Sequence, residues 1–209
     1  MKTIIKYELV INKALRSALN YDTPDEQINE FIRFFGKHIG SDRIYIFEDC
    51  DEKHVTKNTY EWCADGIVPE IHELQNVDMD IIGWWYQAFD KDRNVIITDI
   101  EQIKDERRES YNLLKAQNVK NLVVCPIRYK DEIKGFFGVD NPPESDTLGL
   151  TTFLDMIGTL LISLLKLRNS FTKSNKEAKL SSYSSLSSIY ISMALVNVQT
   201  RRYHIVKTL

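Results

Sequence analysis

The apolar residues at the start of the chain recur with a helical period. Over residues 2–20 they are spaced three and four positions apart, which is typical of an amphipathic helix. Thr23, Pro24 and Glu26 then form the pattern of a capping box with proline at the first helical position. The pattern predicts a second helix from Pro24 to about His38, which Gly40 ends.

The middle of the chain is rich in short β-branched and aromatic runs, which predict strands. These runs cover residues 42–48, 54–64, 94–98, 121–129 and 134–140, and the last two form the clearest hairpin. Segments 79–89 and 103–117 predict helices, and a long helix is expected from residue 146 to at least 168. This order indicates an α+β fold in which a central antiparallel sheet of five to six strands has helices on both faces and long N- and C-terminal helices.

The composition of the chain argues against several functional classes. The 209 residues carry 27 Lys and Arg against 30 Asp and Glu, a net charge of −3, which does not indicate a nucleic-acid partner. Three cysteines at irregular spacing do not form a secreted disulfide framework, so a cytoplasmic location is expected. The apolar stretch at 148–165 contains Asp155 near its middle. This acid favours a buried helix over a membrane span.

Three segments of the chain resemble successive parts of GAF domains. They are residues 42–48 (DRIYIFE), residues 58–71 (NTYEWCADGIVPEI) with 74–77, and residues 135–142 (GFFGVDNP) after 122–127 (LVVCPI). The resemblance covers about residues 21–168. It is strongest to GAF domains that precede GGDEF diguanylate cyclase or histidine kinase modules. The Asn-Lys…Phe…Asp pattern of cyclic-nucleotide GAF domains is not found, so the resemblance does not imply cyclic-nucleotide binding.

The resemblance and a shift in composition after the long helix together predict how the chain is organised. Residues 1–170 are interpreted as a GAF sensor domain with its terminal helices, and residues 171–188 as a serine-rich linker. Residues 189–209 resemble the truncated start of a following PAS-like domain. The chain is then a non-catalytic sensor that binds a small molecule, or transmits a signal, and acts on a C-terminal output domain. The expected output is a diguanylate cyclase that makes cyclic-di-GMP.

A ligand pocket is predicted on one face of the sheet. Strand alternation places Arg43, Tyr45 and Phe47 on a common face, and the resemblance assigns that face to the ligand. The aromatic residues of the covering segments extend the predicted site, because ligand pockets are largely apolar with a few polar groups. They are Trp62, Trp84, Trp85, Phe89 and Tyr111. Asp99 and Asp140 are candidate polar contacts. The ligand and any cofactor are unknown, and plain core packing is the alternative.

Catalytic and metal sites have weaker support. Cys50, His54, Cys63 and His72 lack the close cysteine spacing of structural zinc sites, so no metal site is predicted. An enzymatic alternative is a GAF-fold free methionine-(R)-sulfoxide reductase, which needs several cysteines in one pocket. Here Cys50, Cys63 and Cys125 fall on separate predicted strands, which argues against that activity.

The long C-terminal helix carries a heptad pattern. Leu154, Ile157, Leu161 and Leu164 are three, four and three residues apart, as in a coiled-coil seam. They predict a homodimer that forms through the terminal helices. Two alternatives remain: a helix that packs entirely within one chain, and a dimerisation spacer that binds no ligand.

Overall fold

The strands of the chain form a six-stranded antiparallel sheet. The computed structural model describes residues 2–143 and 147–174. The helices are α1 Lys2–Ala18, α2 Pro24–Ile39, α3 Gly83–Phe89, α4 Arg108–Ala116 and α5 Thr147–Ser174. The strands are β1 Arg43–Cys50, β2 Val55–Cys63, β3 Val77–Asp78, β4 Val95–Ile97, β5 Leu122–Tyr129 and β6 Glu132–Asp140. Two 3₁₀ turns occupy Asp51–Lys53 and Ile100–Ile103. The strand order is β3-β2-β1-β6-β5-β4, and the predicted α+β fold is confirmed.

The two faces of the sheet are covered by different helices. On one face α2 packs against the sheet, where Phe35 and Phe137 have ring centroids 6.4 Å apart. α5 covers the same face, since the Cys125 thiol donates to the Leu154 carbonyl at 3.4 Å. The other face carries Tyr45, Phe47, Phe136 and the aromatic residues of α3. We call this second side the α3 face.

Local sequence signals set the ends of several elements. Thr23 and Glu26 form the expected capping box at the start of α2. Lys130 and Asp131 both have positive φ, 50° and 65°, as a two-residue type I′ hairpin turn requires. Because this turn is so tight, β6 begins at Glu132, two residues before the strand predicted from residue 134.

Some elements differ from the sequence-based prediction. α3 begins at Gly83 and α4 at Arg108, whereas the apolar period predicted starts at 79 and 103. Turns and the 3₁₀ helix Ile100–Ile103 occupy the residues before these helices. The two-residue strand β3 was not predicted, because it is too short to show a period. It is defined by its pairing with β2.

The chain divides into two compact units, Met1–Ile162 and Ser163–Leu209. The sheet and the candidate site belong to the first unit. In the second unit, the structure describes the end of α5 as far as Ser174, so the helix continues beyond residue 170, where the domain was expected to end. The expected PAS-like segment 189–209 and most of the expected linker lie outside the described residues. Within the described ranges, no helix has both the length and the hydropathy needed to cross a membrane.

Candidate functional site

A small cavity lies on the α3 face of the sheet. Its volume is about 30 Å³, which is room for about one or two water molecules. Strands β1 and β6 form its floor, and α3, α4 and the segment after β2 cover it. The polar lining residues are Arg43, Tyr45, Glu61, Gln117 and Asp140, and the apolar ones are Phe47, Leu74, Val77, Ile82, Trp85, Leu113, Leu114 and Phe136. We call this cavity the buried pocket.

One cation and two acids form an ion cluster at the edge of the buried pocket. Arg43 Nη1 donates to Asp140 Oδ2 at 3.0 Å, and Arg43 Nε is 3.4 Å from Glu61 Oε1. All three side chains are at most 3% exposed. The second guanidinium nitrogen, Nη2, donates to the Val68 carbonyl at 2.9 Å. The cluster therefore joins β1, β2, β6 and the loop after β2.

Glu61 holds that loop in place. Its Oε2 accepts the backbone N–H groups of Glu70 and Ile71 at 2.9 and 3.0 Å. Its Oε1 accepts from Asn58 Nδ2 at 3.2 Å. A carboxylate with several donors is well satisfied without a ligand. Glu61 was not among the predicted site residues, although the β1–β2 register places it directly opposite Tyr45.

Burial changes the acid–base properties of this cluster. Burial raises the pKa of Asp140 to about 6, although the Arg43 charge and the nearby Tyr45 hydroxyl act in the opposite direction. Burial also raises the pKa of Tyr45 well above its usual range, and the negative charge of Asp140 adds to the effect. Asp140 thus titrates closer to neutrality than an exposed aspartate, while Tyr45 stays neutral.

Several buried polar atoms in this region lack a hydrogen-bond partner among the described residues. They include Asp140 Oδ1 and Trp85 Nε1, both on residues that line the buried pocket. Unpaired buried polar atoms are costly. Two residues that line the pocket thus each carry a polar atom without a hydrogen bond, one a carboxylate oxygen and the other an indole N–H.

An aromatic layer surrounds these polar groups. Phe47 and Phe136 stack with ring centroids 4.7 Å apart, and Trp85 meets Phe136 edge-on at 5.5 Å. Tyr45 lies edge-on to Phe47 at 5.5 Å. A Cβ added at Gly138 would come within 2.0 Å of the Tyr45 ring. Glycine opposite Tyr45 therefore lets this ring lie across the sheet.

The structure brings together five of the ten predicted pocket residues. Arg43, Tyr45, Phe47, Trp85 and Asp140 all line the buried pocket. Three others belong to the α3 side but do not line the cavity. Phe89 packs on Phe136, Tyr111 donates its hydroxyl to Glu101 at 2.9 Å, and Trp84 donates Nε1 to the Ser110 hydroxyl at 2.9 Å.

The placements of Asp99 and Trp62 were wrong. Asp99 is exposed and caps the 3₁₀ helix Ile100–Ile103 by accepting from the Glu101 N–H at 2.9 Å. Trp62 lies on the opposite face of the sheet, because a Cβ added at Gly36 of α2 would be 2.2 Å from its ring. Strand alternation explains this: Trp62 pairs with Ile44, so the neighbouring Glu61 takes the pocket side with Tyr45.

The predicted heptad seam is buried within a single chain. Leu154, Ile157 and Leu161 are 0% exposed and Leu164 is 6% exposed. Within the first unit, α5 packs on the sheet, where a Cβ added at Gly158 would be 3.0 Å from the Pro126 carbonyl oxygen. These residues therefore do not form an exposed dimer seam. Leu9 of α1 and Met156 of α5 are exposed instead, by 53% and 37%.

The cysteines do not converge on the buried pocket. Cys50 and Cys63 occupy opposite ends of the β1–β2 hairpin, and Cys125 faces α5. Burial raises the pKa of Cys63 to about 11, which disfavours a reactive thiolate. This geometry does not support the reductase alternative.

His54 lies away from the cysteines and accompanies two acids. Its Nε2 is 3.1 Å from Asp80 Oδ1, and this hydrogen bond raises its pKa. His54, Asp78 and Asp80 have ligand atoms within 4.8 Å of one another, but all three are exposed. Exposed acidic groups of this kind are common without a metal.

Comparison with known proteins identifies the fold. The GAF domain family model matches residues 23–161. The methanogenesis regulatory histidine kinase FilI of Methanothrix harundinacea is 26% identical over 128 residues, which cover 59% of this chain and 14% of that protein. The chain therefore spans only a small part of the length of this curated relative.

Solved structures agree with the family match. A biliverdin-bound protein in its far-red absorbing dark state superposes with a TM-score of 0.62 at 12% identity, over 77% of this chain and 99% of that one. The GAF domain of an Acinetobacter phosphoenolpyruvate-protein phosphotransferase gives a TM-score of 0.60 at 12% identity, over 80% and 97% of the two chains. At these identities the likeness is one of fold.

Proposed function

The chain belongs to the GAF domain family of sensory domains, and on that premise we propose that it binds a small planar molecule in the buried pocket. The observation that carries this proposal is the set of unpaired buried atoms on residues lining one cavity, Asp140 Oδ1 and Trp85 Nε1 above all. A ligand with a hydrogen-bond donor and an acceptor would satisfy both. The rings of Phe47 and Phe136 supply apolar contact for its plane.

The size of the pocket restricts the ligand. About 30 Å³ is far below the several hundred Å³ of ordinary ligand pockets, so binding requires α3 and α4 to move outward. A linear tetrapyrrole, as bound by one structural neighbour, demands a much larger movement than a single heterocycle. We therefore expect a compact molecule such as a free nucleobase or an aromatic amino acid.

The sheet provides a route from the pocket to the terminal helices. Leu122 and Val124 of β5 face the α3 side, and the next residue, Cys125, contacts α5 through the Leu154 carbonyl. A ligand that separates α3 from the sheet would shift β5 and β6 beneath α5. The ligand changes the output only through its different affinities for the two arrangements.

The assembly and output are parts of the same proposal. We propose a cytoplasmic homodimer that forms through the exposed sides of α1 and α5, and a C-terminal output domain in cis. A diguanylate cyclase is the output that the sequence resemblance implies, while the matched relative is a histidine kinase. Incubation of the full-length protein with GTP or with ATP separates these outputs, by cyclic-di-GMP formation or by autophosphorylation.

Ligand binding is tested with a matched pair of tryptophan variants. Native mass spectrometry and calorimetry would screen the chain against nucleobases, aromatic amino acids and biliverdin. Trp85→Phe keeps an aromatic side chain, though a smaller one, and removes the indole N–H, whereas Trp62→Phe makes the same change on the opposite face. Loss of one hydrogen bond should weaken binding about tenfold in Trp85→Phe only.

Two results would contradict ligand sensing. One is that no compound is retained by the unmodified chain. The other is a compound whose affinity is the same in Trp85→Phe, in Asp140→Asn and in the unmodified chain. Either result would leave the dimerisation spacer as the better description.

A further inference from the structure

A second and more open cleft lies on the outside of α3. It has a volume of about 340 Å³, within the range of small-molecule sites. Its lining residues are Trp84, Gln87, Ala88, Lys91, Arg93, Asn94, Val95, Ile96 and Arg107. No residue is shared with the buried pocket, so this outer cleft is a separate feature.

The charge of the outer cleft opposes that of the whole chain. The chain has a net charge of −3, yet three cations and no acid line this cleft. Lys91 and Arg93 are exposed and form no ion pair with any described residue. The nearby Asp92 is 3.3 Å from Arg128. A concave surface lined by one sign of charge concentrates the field and attracts counter-ions.

One of the three cations lies over an aromatic side chain of the cleft. The Arg107 guanidinium lies 5.6 Å from the centre of the Trp84 ring. The Trp84 indole is held by its hydrogen bond to Ser110, whose hydroxyl donates to the Ile81 carbonyl. The main chain at Arg93 is held against the end of α3, because its backbone N–H donates to the Ala88 carbonyl at 3.0 Å. The cleft is therefore formed by α3, the segment before β4, the start of β4, and Arg107, the residue that precedes α4.

We propose that the outer cleft binds a small molecule carrying two or more phosphate charges. Guanidinium groups match phosphate geometry with paired N–H donors, and lysine adds a compact positive charge. Gln87 adds an amide at the wall of the cleft. Binding would occur beside Trp84, whose ring meets that of Trp85 edge-on at 6.0 Å. The anion would therefore lie against the helix that closes the buried pocket.

Pyrophosphate is the probe for this site. Calorimetric titration at fixed ionic strength should give saturable binding at one site per chain. The double variant Lys91→Gln/Arg93→Gln should weaken it at least about tenfold, since two charged contacts are lost. The matched control Lys37→Gln/Lys53→Gln removes the same charge from two exposed lysines elsewhere and should leave the affinity unchanged.

Three results would overturn the proposal. Absence of saturable binding at millimolar pyrophosphate excludes the site. Equal weakening in both double variants shows a general effect of net charge. A third result is that a hexaglutamate peptide, but not pyrophosphate, binds in a manner that needs Lys91 and Arg93, which would make the cleft a surface for acidic peptides.

Discussion

Arg43 and Asp140 lie directly opposite each other on β1 and β6, and their side chains form a buried ion pair with Nη1 3.0 Å from Oδ2. Buried ion pairs contribute little net stability, but removal of one partner leaves an uncompensated charge. The pair joins the middle of the sheet to the loop after β2 through the Val68 carbonyl. The ion pair therefore connects the sheet to this loop and also forms the polar edge of the buried pocket.

Loss of the cation should destabilise the fold. We expect Arg43→Met to lower the free energy of unfolding by about 3–5 kcal/mol, because Asp140 and Glu61 lose their buried partner. Urea unfolding of the variant measures this loss. Arg108→Met, at an exposed position of α4, is the control and should change stability by less than about 0.5 kcal/mol. A loss below about 1 kcal/mol in Arg43→Met would contradict the prediction, because it would mean that Asp140 and Glu61 do not need the Arg43 charge for stability.

The raised pKa of Asp140 predicts a distinct pH dependence. The folded state holds the Asp140 proton up to a pKa of about 6, against 3.8 for the ordinary group. The contribution of Asp140 to the free energy of unfolding is therefore fully present below pH 3.8 and is lost as the pH rises to about 6. Its size is on the order of 2–3 kcal/mol. Unfolding titrations between pH 4 and pH 7.5 should show this decline in the unmodified chain.

Asp140→Asn is the reference for that titration. It keeps an oxygen for Arg43 but cannot ionise, so the difference in stability between the two proteins should change mainly between pH 4 and 6. Glu30, Glu101 and Glu132 have lowered pKa values and act in the opposite direction, equally in both proteins. A constant difference across the range would exclude Asp140 as the titrating group.

Gly138 should be intolerant of a side chain. A Cβ there would lie 2.0 Å from the buried Tyr45 ring, so Gly138→Ala should cost about 1–3 kcal/mol of stability through overpacking. Gly83→Ala is the control, because nothing lies within 4 Å of its added Cβ. Tyr45→Leu should recover part of the cost in a double variant. Equal stability of the two alanine variants would contradict the close packing of Tyr45 on β6.

The exposed residues of the terminal helices predict where two chains meet. Leu9→Glu or Met156→Glu should shift sedimentation equilibrium from dimer toward monomer, because each places a charge on an exposed apolar position of α1 or α5. Val68→Glu changes a 70% exposed loop residue and should leave the dimer intact. A monomeric unmodified chain would exclude the homodimer.

Much of the fold follows from local sequence patterns. The capping box at Thr23 and Glu26 predicted the start of α2, and the paired runs around the 130–131 turn predicted the β5–β6 hairpin. These signals act between residues that are close in the sequence. Strand alternation likewise placed Arg43, Tyr45 and Phe47 on one face, where the structure has them.

The candidate site depends on contacts between residues that are far apart in the sequence, and local sequence patterns do not predict these contacts. Glu61 rather than Trp62 faces the pocket because of the register between β1 and β2, and Asp99 is directed away by the 3₁₀ helix it caps. The apolar spacing of Leu154, Ile157 and Leu161 is equally compatible with packing on a partner helix and with packing on a sheet, and the structure has these residues buried. Only the packing of α5 on β5 distinguishes the two.

By itself, the sequence determined the element types, the α+β class and the apolar faces, because these follow from periodicity and capping between near neighbours. The tertiary structure decided which charges are buried together, how small the pocket is, and which helix faces remain exposed. Those features arise when strands distant in the sequence pair and exclude water, so they depend on register and packing rather than on composition.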